Sequence, residues 1–214
     1  MKYLILITMS LLSFQSIKAQ TDSIEIDLYN TILIMDGYLT DADKTLQLAN
    51  KFEQIGEIKK DSWLLYYYAS YCYVMAAFLQ TDTKKIDPLA EKAEILLNRA
   101  ELFNKKDSEI TCLRSLIASA RIMVNPNSRG MKFGMIASQM LNKAKLENPN
   151  NPRVYYLEAQ SLMFMPEEYG GGCKNAKPLL KIAIEKYDKF KMESKIHPNW
   201  GNESVIKLLG ECNN

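Results

Sequence analysis

The chain has 214 residues, with 27 Lys plus Arg, 25 Asp plus Glu and a formal net charge of +2 at pH 7. This balance lacks the basic excess or basic stripe that is typical of nucleic-acid-binding proteins, so no nucleic-acid partner is predicted. A chain of this length can form one domain with a sizeable hydrophobic core.

The first element of the chain has the order of a secretory signal peptide. Lys2 precedes an apolar run over residues 3–12, and polar residues then lead to the small residue Ala19. This order predicts cleavage after Ala19 and export to the periplasm or out of the cell. The run is shorter than the about 20 residues that a membrane-spanning helix needs. No second run follows, so the mature chain, residues 20–214, is expected to have no integral membrane segment.

One spacing, A-x3-L-x2-A, recurs four times in the mature chain. Residues four and seven positions apart share one face of a helix, and small residues on that face let a neighbouring helix pack closely. The copies follow one another at steps of 51, 44 and 39 residues, which indicates a repeated helix. The four copies are Ala42, Leu46 and Ala49; Ala93, Leu97 and Ala100; Ala137, Leu141 and Ala144; and Ala176, Leu180 and Ala183.

Each copy follows another apolar segment with a helical pattern. Three of these segments begin with Asp-Ser, and both residue types are good helix N-caps. No convincing alternation of apolar and polar residues indicates a strand. The sequence therefore predicts an all-α domain of four stacked helix pairs over residues 20–214, with a short capping helix after His197. The preceding segments are residues 22–39, 61–79, 107–124 and 151–164.

The stretch LNKAKLENPNNPRVYYLEAQSLMF resembles the tetratricopeptide repeat (TPR). Ala144 and Pro149 match the small and proline positions at the end of one repeat. Tyr155, Ala159 and Leu162 match the large, small and large positions that open the next. The resemblance implies a right-handed α-solenoid whose first helices line a concave groove where peptides dock. The C-terminal HPNWGNESVIKLLGEC also resembles the end of small exported helical-repeat proteins of Bacteroidetes-type bacteria.

The repeats of this chain are longer than the about 34 residues of the tetratricopeptide repeat. The extra residues are predicted to form enlarged corners between the two helices of a pair. The second corner is predicted to be either a turn capped by Asn125 or a contact loop with Arg129 and Lys132 exposed. The predicted corners are residues 80–89, 125–134 and 165–173.

The third corner, with the sequence YGGGCKNA, could be a phosphate-binding loop or a turn. A P-loop needs G-x4-G-K-[ST] after a strand, but here Lys174 is followed by Asn175 and the preceding segment is helical. The three glycines are therefore predicted to form a sharp turn into a helix that starts near Cys173. Anion binding at that helix start is the alternative, although Glu167 and Glu168 would repel an anion.

The four cysteines are widely spaced and form no C-x2-C motif. Cys72 and Cys112 lie in apolar helical stretches, where buried free thiols are common, and are predicted to be such thiols. Cys173 and Cys212 lie near predicted helix ends, so a disulfide between them is possible in an oxidising compartment.

His197 is the only histidine of the chain. No nucleophile elbow, H-E-x2-H motif or zinc-ligand spacing accompanies it. The sequence therefore predicts no catalytic residue, no metal site and no cofactor. An enzyme built from residues 167–174 and His197 is an alternative that requires these residues to converge in the fold.

Tyrosine is concentrated in the stretch WLLYYYASYCY, which places six aromatic residues in eleven. These rings cannot all face one side of a helix. Trp63, Tyr67 and Tyr71 are spaced by four and are predicted to be core residues. For Tyr66, Tyr73 and, in the later stretch VYYLEA, Tyr156, the pattern leaves both the core and the concave groove open.

Taken with the resemblance, these patterns predict a non-catalytic, exported scaffold that binds a protein or peptide through a concave, tyrosine-rich face. Arg114 and Arg121 are seven residues apart, so they share a face and would pair with an acidic ligand group or with Glu109 and its neighbours. A periplasmic small-ligand carrier is the first alternative. A structural subunit whose groove holds its own N-terminal segment or a second copy is another. The predicted groove residues are Tyr66, Tyr73, Arg114, Arg121 and Tyr156.

Overall fold

The computed structural model describes residues 26–59 and 61–213, and within them the fold is all-α, as predicted. The predicted signal peptide, residues 1–19, lies outside the described residues. None of the described helices is long and apolar enough to cross a bilayer. The helices are α1 (26–33), α2 (Met35–Tyr38), α3 (Ala42–Ile58), α4 (Trp63–Phe78), α5 (Ile86–Phe103), α6 (Ser108–Ile122), α7 (Pro126–Glu147), α8 (Pro152–Phe164), α9 (Cys173–Lys189) and α10 (Asn202–Glu211).

Consecutive helices pack as pairs: α4 on α5, α6 on α7 and α8 on α9, while α3 packs on α4 and α10 on α9. The starts of α4, α6 and α8 lie together, because Tyr67 of α4 and Asn151, the N-cap of α8, both donate hydrogen bonds to Glu109 of α6 (3.3 and 2.8 Å). The first helices of these pairs therefore run in the same direction. We call this end of the molecule the glutamate end, and the opposite end, where α9 begins at Cys173, the disulfide end.

The A-x3-L-x2-A residues form the packed faces of the second helices, α3, α5, α7 and α9. Ten of the twelve residues are buried. The two that are partly exposed, Ala42 and Leu46, lie on α3, the first of these helices. The alanines let the neighbouring helix approach closely and the leucine fills the space between them, so the spacing identified the buried face of each second helix.

The predicted corner at residues 125–134 is wrong, because this segment forms the first turns of α7. The Asn125 side chain caps the helix by accepting a hydrogen bond from the amide three residues later (3.1 Å). Pro126 occupies the first helical position, where its missing N–H is no loss. Arg129 consequently lies on α7 and pairs with Asp87 of α5 (2.8 Å).

The glycine corner at residues 165–173 is confirmed as a turn between two helices. Gly170 and Gly172 have φ angles of 87° and 86°, in the left-handed region that favours glycine. A Cβ atom added to Gly171 would lie 1.8 Å from the carbonyl oxygen of Met165. All three glycines are therefore required by the turn that leads from α8 into α9.

Gly171→Ala is expected to destabilise the protein by roughly 2 kcal/mol or more, because the added methyl group forces the turn to move. Gly134→Ala is the matched control, since nothing lies within 4 Å of a Cβ atom added there in α7. This second variant should gain about 0.5–1 kcal/mol. Denaturant unfolding followed by circular dichroism measures both changes. A Gly171→Ala protein as stable as the wild type would contradict the geometry of the corner.

The tyrosines of α4 lie in the centre of the core. Tyr67, Tyr68 and Tyr71 are at most 5% exposed, whereas Trp63 is only half-buried. Burial, the largest cause, raises the pKa of all three phenols above their usual value of 10.0. The prediction that Tyr67 and Tyr71 are core residues is confirmed.

The free energy of unfolding is expected to fall as the pH rises above about 10. Near that pH these three phenols ionise in the unfolded chain but stay protonated in the folded protein, so unfolding releases protons. Below it both states keep their protons, and these groups cause no pH dependence. The phenolate absorbance of the buried tyrosines should therefore appear only as the helical dichroism signal is lost. Ionisation of all tyrosines with the helices intact would contradict the burial.

The C-terminal segment, defined as residues 190–201, lies across the face that the first helices form at the glutamate end. Tyr68 donates a hydrogen bond to a backbone carbonyl of this segment (3.0 Å), and the Trp200 indole N–H donates to the hydroxyl of Tyr67 (2.8 Å). The Trp200 ring also stacks on Tyr71, with centroids 4.8 Å apart. The segment therefore covers part of the face that was expected to form an open groove.

A disulfide bond joins Cys173 at the start of α9 to Cys212, which follows α10. It is the pairing that the sequence left possible, and it fixes the end of α10 at the disulfide end. Cys72 and Cys112 are free and buried, as predicted, and burial raises the pKa of both thiols.

Candidate functional site

A buried ion pair lies at the glutamate end, between the first turns of α6 and α8. Arg153 is 0% exposed and Glu109 is 3% exposed. The Nε and Nη2 atoms of Arg153 donate to the two carboxylate oxygens of Glu109 over 2.6 and 2.7 Å. Burial alone disfavours the charged guanidinium, but Glu109 outweighs burial and raises the pKa of Arg153. Arg153 therefore keeps its positive charge inside the protein.

The remaining donors of Arg153 hold the C-terminal segment in place. Nη2 also donates to the carbonyl oxygen of Pro198 (2.8 Å), and Nη1 donates to that of Trp200 (3.2 Å). The guanidinium carbon lies 4.7 Å from the centroid of the Phe190 ring, at the distance of a cation–π contact. Arg153 thus joins α6, α8 and the C-terminal segment in one buried cluster.

A cleft of about 730 Å³ opens beside this ion pair. Its walls come from the start of α6, the end of α7 with the turn that follows, the end of α9 and the C-terminal segment. Most of the lining is polar, and Ile182 and Phe190 add apolar surface. Some ionisable side chains of the lining make neither an ion pair shorter than 3.9 Å nor a side-chain hydrogen bond within the part of the chain that the structure describes. They are Lys106, Lys189, Lys191, Glu185, Glu193 and His197.

The other carboxylates that line the cleft are already engaged. Asp107 caps α6 by accepting a hydrogen bond from the amide of Glu109 (2.7 Å), and burial raises the pKa of this aspartate. Glu147 accepts a hydrogen bond from the hydroxyl of Thr111 (2.6 Å). Glu109 is bound by Arg153. These three acids therefore have less charge to offer a ligand than an unpaired carboxylate would.

His197 lies in the wall of the cleft, with 9% of its side chain exposed. Its ring centroid is 5.7 Å from that of Phe190. Its Nδ1 atom is 3.9 Å from the nearest carboxylate oxygen of Glu193, which is too far for a hydrogen bond. Among the described residues, no buried side-chain nitrogen or oxygen lacks a partner, so the nitrogens of this ring keep access to the cleft.

The three predicted groove tyrosines are buried against their own chain. Tyr66 is 4% exposed and donates to the carbonyl oxygen of Gly56 (3.0 Å); Tyr73 is 7% exposed and donates to Asn50 (2.7 Å). Tyr156 is 7% exposed and meets the tryptophan of the C-terminal segment edge-on. Partner binding through these three rings stays a prediction.

The two predicted groove arginines lie on α6 and reach across to α5. Arg114 pairs with Glu101, and Arg121 pairs with Glu94 (2.7 Å). The alternative that they pair with Glu109 and its neighbours is wrong, because their partners lie on α5 and the Glu109 carboxylate is bound by Arg153. Their binding of an acidic ligand group stays a prediction.

The residues of the enzymatic alternative do not converge. Residues 167–174 lie at the start of α9, whereas His197 packs against Phe190, just beyond its end. At 1.5 Å per residue, a helix of this length separates them by about 25 Å. In the described ranges, no group of three or more His, Cys, Asp and Glu residues is placed to hold a metal ion.

Arg153 and the cleft were not predicted from the sequence. A usable signal was present, because Glu109 lies beside the apolar residues that open α6 and a buried carboxylate must be paired. Nothing in the local sequence identifies the partner, which lies 44 residues away on another pair.

The chain is similar to the HusA haemophore from Porphyromonas gingivalis, with a TM-score of 0.79 and 34% sequence identity. The similarity covers 88% of this chain and 92% of that one, so it includes nearly the whole of both folds. No family model matches the chain, and no curated protein is significantly similar to it.

Proposed function

The chain belongs to the same family as the HusA haemophore, and from this membership we propose that it is an exported, non-catalytic protein that binds haem or a closely related tetrapyrrole. The observation that carries the proposal is 34% identity over 92% of a haemophore. The predicted signal peptide, residues 1–19, supports export. The sequence predicted a peptide or protein ligand and gave a small-ligand carrier as the first alternative. The proposal adopts that alternative.

The cleft at the glutamate end is the proposed binding site. Its volume falls within the about 300–1,000 Å³ of typical small-molecule sites. Haem presents a flat apolar ring, two carboxylates and a central iron. The cleft offers Phe190 and Ile182 as apolar surface, lysines as cations, and the imidazole of His197, a side chain type that holds haem iron in many proteins.

We also propose that the four helix pairs form the right-handed, TPR-like stack that the repeat spacing predicted, with α10 as the capping helix. The pairwise packing of consecutive helices and the shared direction of α4, α6 and α8 support this arrangement. In such a stack the second helices lie on the outer face.

A haem titration of the purified protein tests the function. The expected result is a saturable shift of the Soret absorbance with one haem per chain. Ile182→Trp, on the cleft wall and 37% exposed, should weaken binding at least tenfold by filling the cleft. Ile206→Trp, 57% exposed on α10, is the matched control. Absence of a saturable shift in the wild type would contradict the proposal that the protein binds haem. Equal haem affinities of the two variants would contradict the proposal that the cleft is the binding site.

Protein binding is a second candidate function, favoured by exposed apolar residues at the disulfide end. Phe164 at the end of α8 is 80% exposed, and Tyr169 in the glycine corner is 73% exposed. Exposed aromatic rings so close in the chain are typical of contact surfaces. A variant with Phe164→Ser and Tyr169→Ser should lose a partner captured by the wild type, and retention of that partner would exclude this surface.

A further inference from the structure

Three lysines face the cleft without a partner. Lys106 precedes the N-cap of α6, Lys189 is the last residue of α9 and Lys191 lies in the C-terminal segment. None of their ammonium groups makes an ion pair or hydrogen bond within residues 26–59 and 61–213. Two separate parts of the chain thus bring free cations to one recess.

Elsewhere the helices use their cations to pair with one another. Lys145 of α7, for example, binds the carboxylate of Glu158 on α8 through contacts of 2.8 and 2.9 Å. No carboxylate of the cleft forms an ion pair with these three lysines among the described residues. Asp107, Glu109 and Glu147 are engaged by other groups. Glu185 and Glu193 line the same cleft but make no ion pair with a lysine of the described ranges. The free ammonium groups are therefore available to an anionic ligand.

We infer that Lys106, Lys189 and Lys191 bind the carboxylates of the ligand, which makes the site selective for tetrapyrroles that carry free acid groups. This inference rests on the proposed function. Phe190 and Ile182 lie in the same cleft and give the apolar ring of such a ligand a surface to contact. The cleft thereby matches a molecule with one apolar body and one anionic edge.

The two unpaired carboxylates of the cleft should affect ligand binding in the opposite direction to the three lysines. Glu185 on α9 and Glu193 in the C-terminal segment repel an anionic ligand, since neither is neutralised by an ion pair shorter than 3.9 Å among the described side chains. Removing one of these charges should strengthen binding, whereas removing a lysine should weaken it. Recognition of an anionic ligand predicts both signs, and the comparison of a free acid with its ester shows whether the anion is a carboxylate.

The test compares protoporphyrin IX with its dimethyl ester, in which both acids are neutral, by fluorescence titration. The wild type should bind the free acid at least tenfold more tightly. A variant with alanine at all three cleft lysines should bind both compounds with equal affinity, and its affinity for the acid should rise little as salt is lowered. The matched control is alanine at three exposed lysines outside the cleft lining: Lys44, Lys84 and Lys207.

Glu193→Gln is the second variant of the test. Its affinity for the free acid is expected to rise about two- to fivefold, which corresponds to the interaction energy of an exposed charge pair. All variants change exposed residues, so helical dichroism should match the wild type. Equal affinity of the wild type for acid and ester, or an unchanged preference in the lysine variant, would overturn the inference and leave the proposed function intact. A wild type that binds neither porphyrin nor haem would overturn both.

Discussion

Arg153→Ala is expected to lower the free energy of unfolding by about 3–5 kcal/mol, which for a domain of this size is a large part of the total. The substitution leaves the carboxylate of Glu109 buried without its cation. It also removes the hydrogen bonds that the guanidinium donates to the carbonyl oxygens of Pro198 and Trp200. Among the described residues, the Trp200 carbonyl keeps only its bond from the Tyr187 hydroxyl (2.9 Å). Urea unfolding followed by circular dichroism gives the change directly.

Two further variants show whether the loss comes from the unpaired charge. Arg153→Met combined with Glu109→Gln removes both charges and should cost less than the sum of the two single changes. Arg114→Ala breaks a pair at the surface and should cost less than about 1 kcal/mol. If the free energy of unfolding of the Arg153→Ala protein lay within about 1 kcal/mol of that of the Arg114→Ala protein, the buried ion pair would not be a major contributor to stability.

Trp200→Ala is expected to cost about 3–5 kcal/mol, the range for truncating a large buried aromatic ring. The Trp200 ring stacks on Tyr71 and meets Tyr156 edge-on, and its N–H donates to Tyr67. Removing it leaves a cavity between α4, α8 and the C-terminal segment. Because this segment forms one wall of the cleft, ligand affinity should fall in the same variant.

Trp200→Phe keeps a six-membered aromatic ring but removes the rest of the indole. It loses the N–H that donates to Tyr67 together with part of the buried apolar area, so it should cost about 1–3 kcal/mol, less than Trp200→Ala. A Trp200→Ala protein with wild-type stability would mean that the C-terminal segment is not part of the core. Near-ultraviolet dichroism reports whether the remaining aromatic rings keep their packing.

The repeat spacing predicted the second helices well because its signal is local. Ala93, Leu97 and Ala100 are fully buried on α5, and the equivalent residues of α7 and α9 are buried too. Helical periodicity and small residue size are sufficient to identify such a face. The corner at residues 125–134 was mispredicted because Asn-Pro reads as a turn, although the same pair also starts helices.

The candidate site could not be predicted in the same way, because it is built from long-range contacts. Arg153 stands in a helix start where an arginine is usually exposed, and its burial depends on Glu109, 44 residues away. The C-terminal segment has no periodic pattern, so nothing in HPNW indicates that Trp200 lies against α4 and α8. The cleft forms only when Arg153 has paired with Glu109 and Trp200 has packed against α4 and α8.

The most direct test of ligand binding at the glutamate end is chemical-shift mapping. Gallium protoporphyrin, a diamagnetic analogue of haem, is added to the isotope-labelled protein and the backbone amide signals are followed. The largest shifts are expected at residues 106–109, 147–150 and 182–197, which include the lining of the cleft. Shifts concentrated at residues 164–173 would place the ligand at the disulfide end and contradict the proposed site.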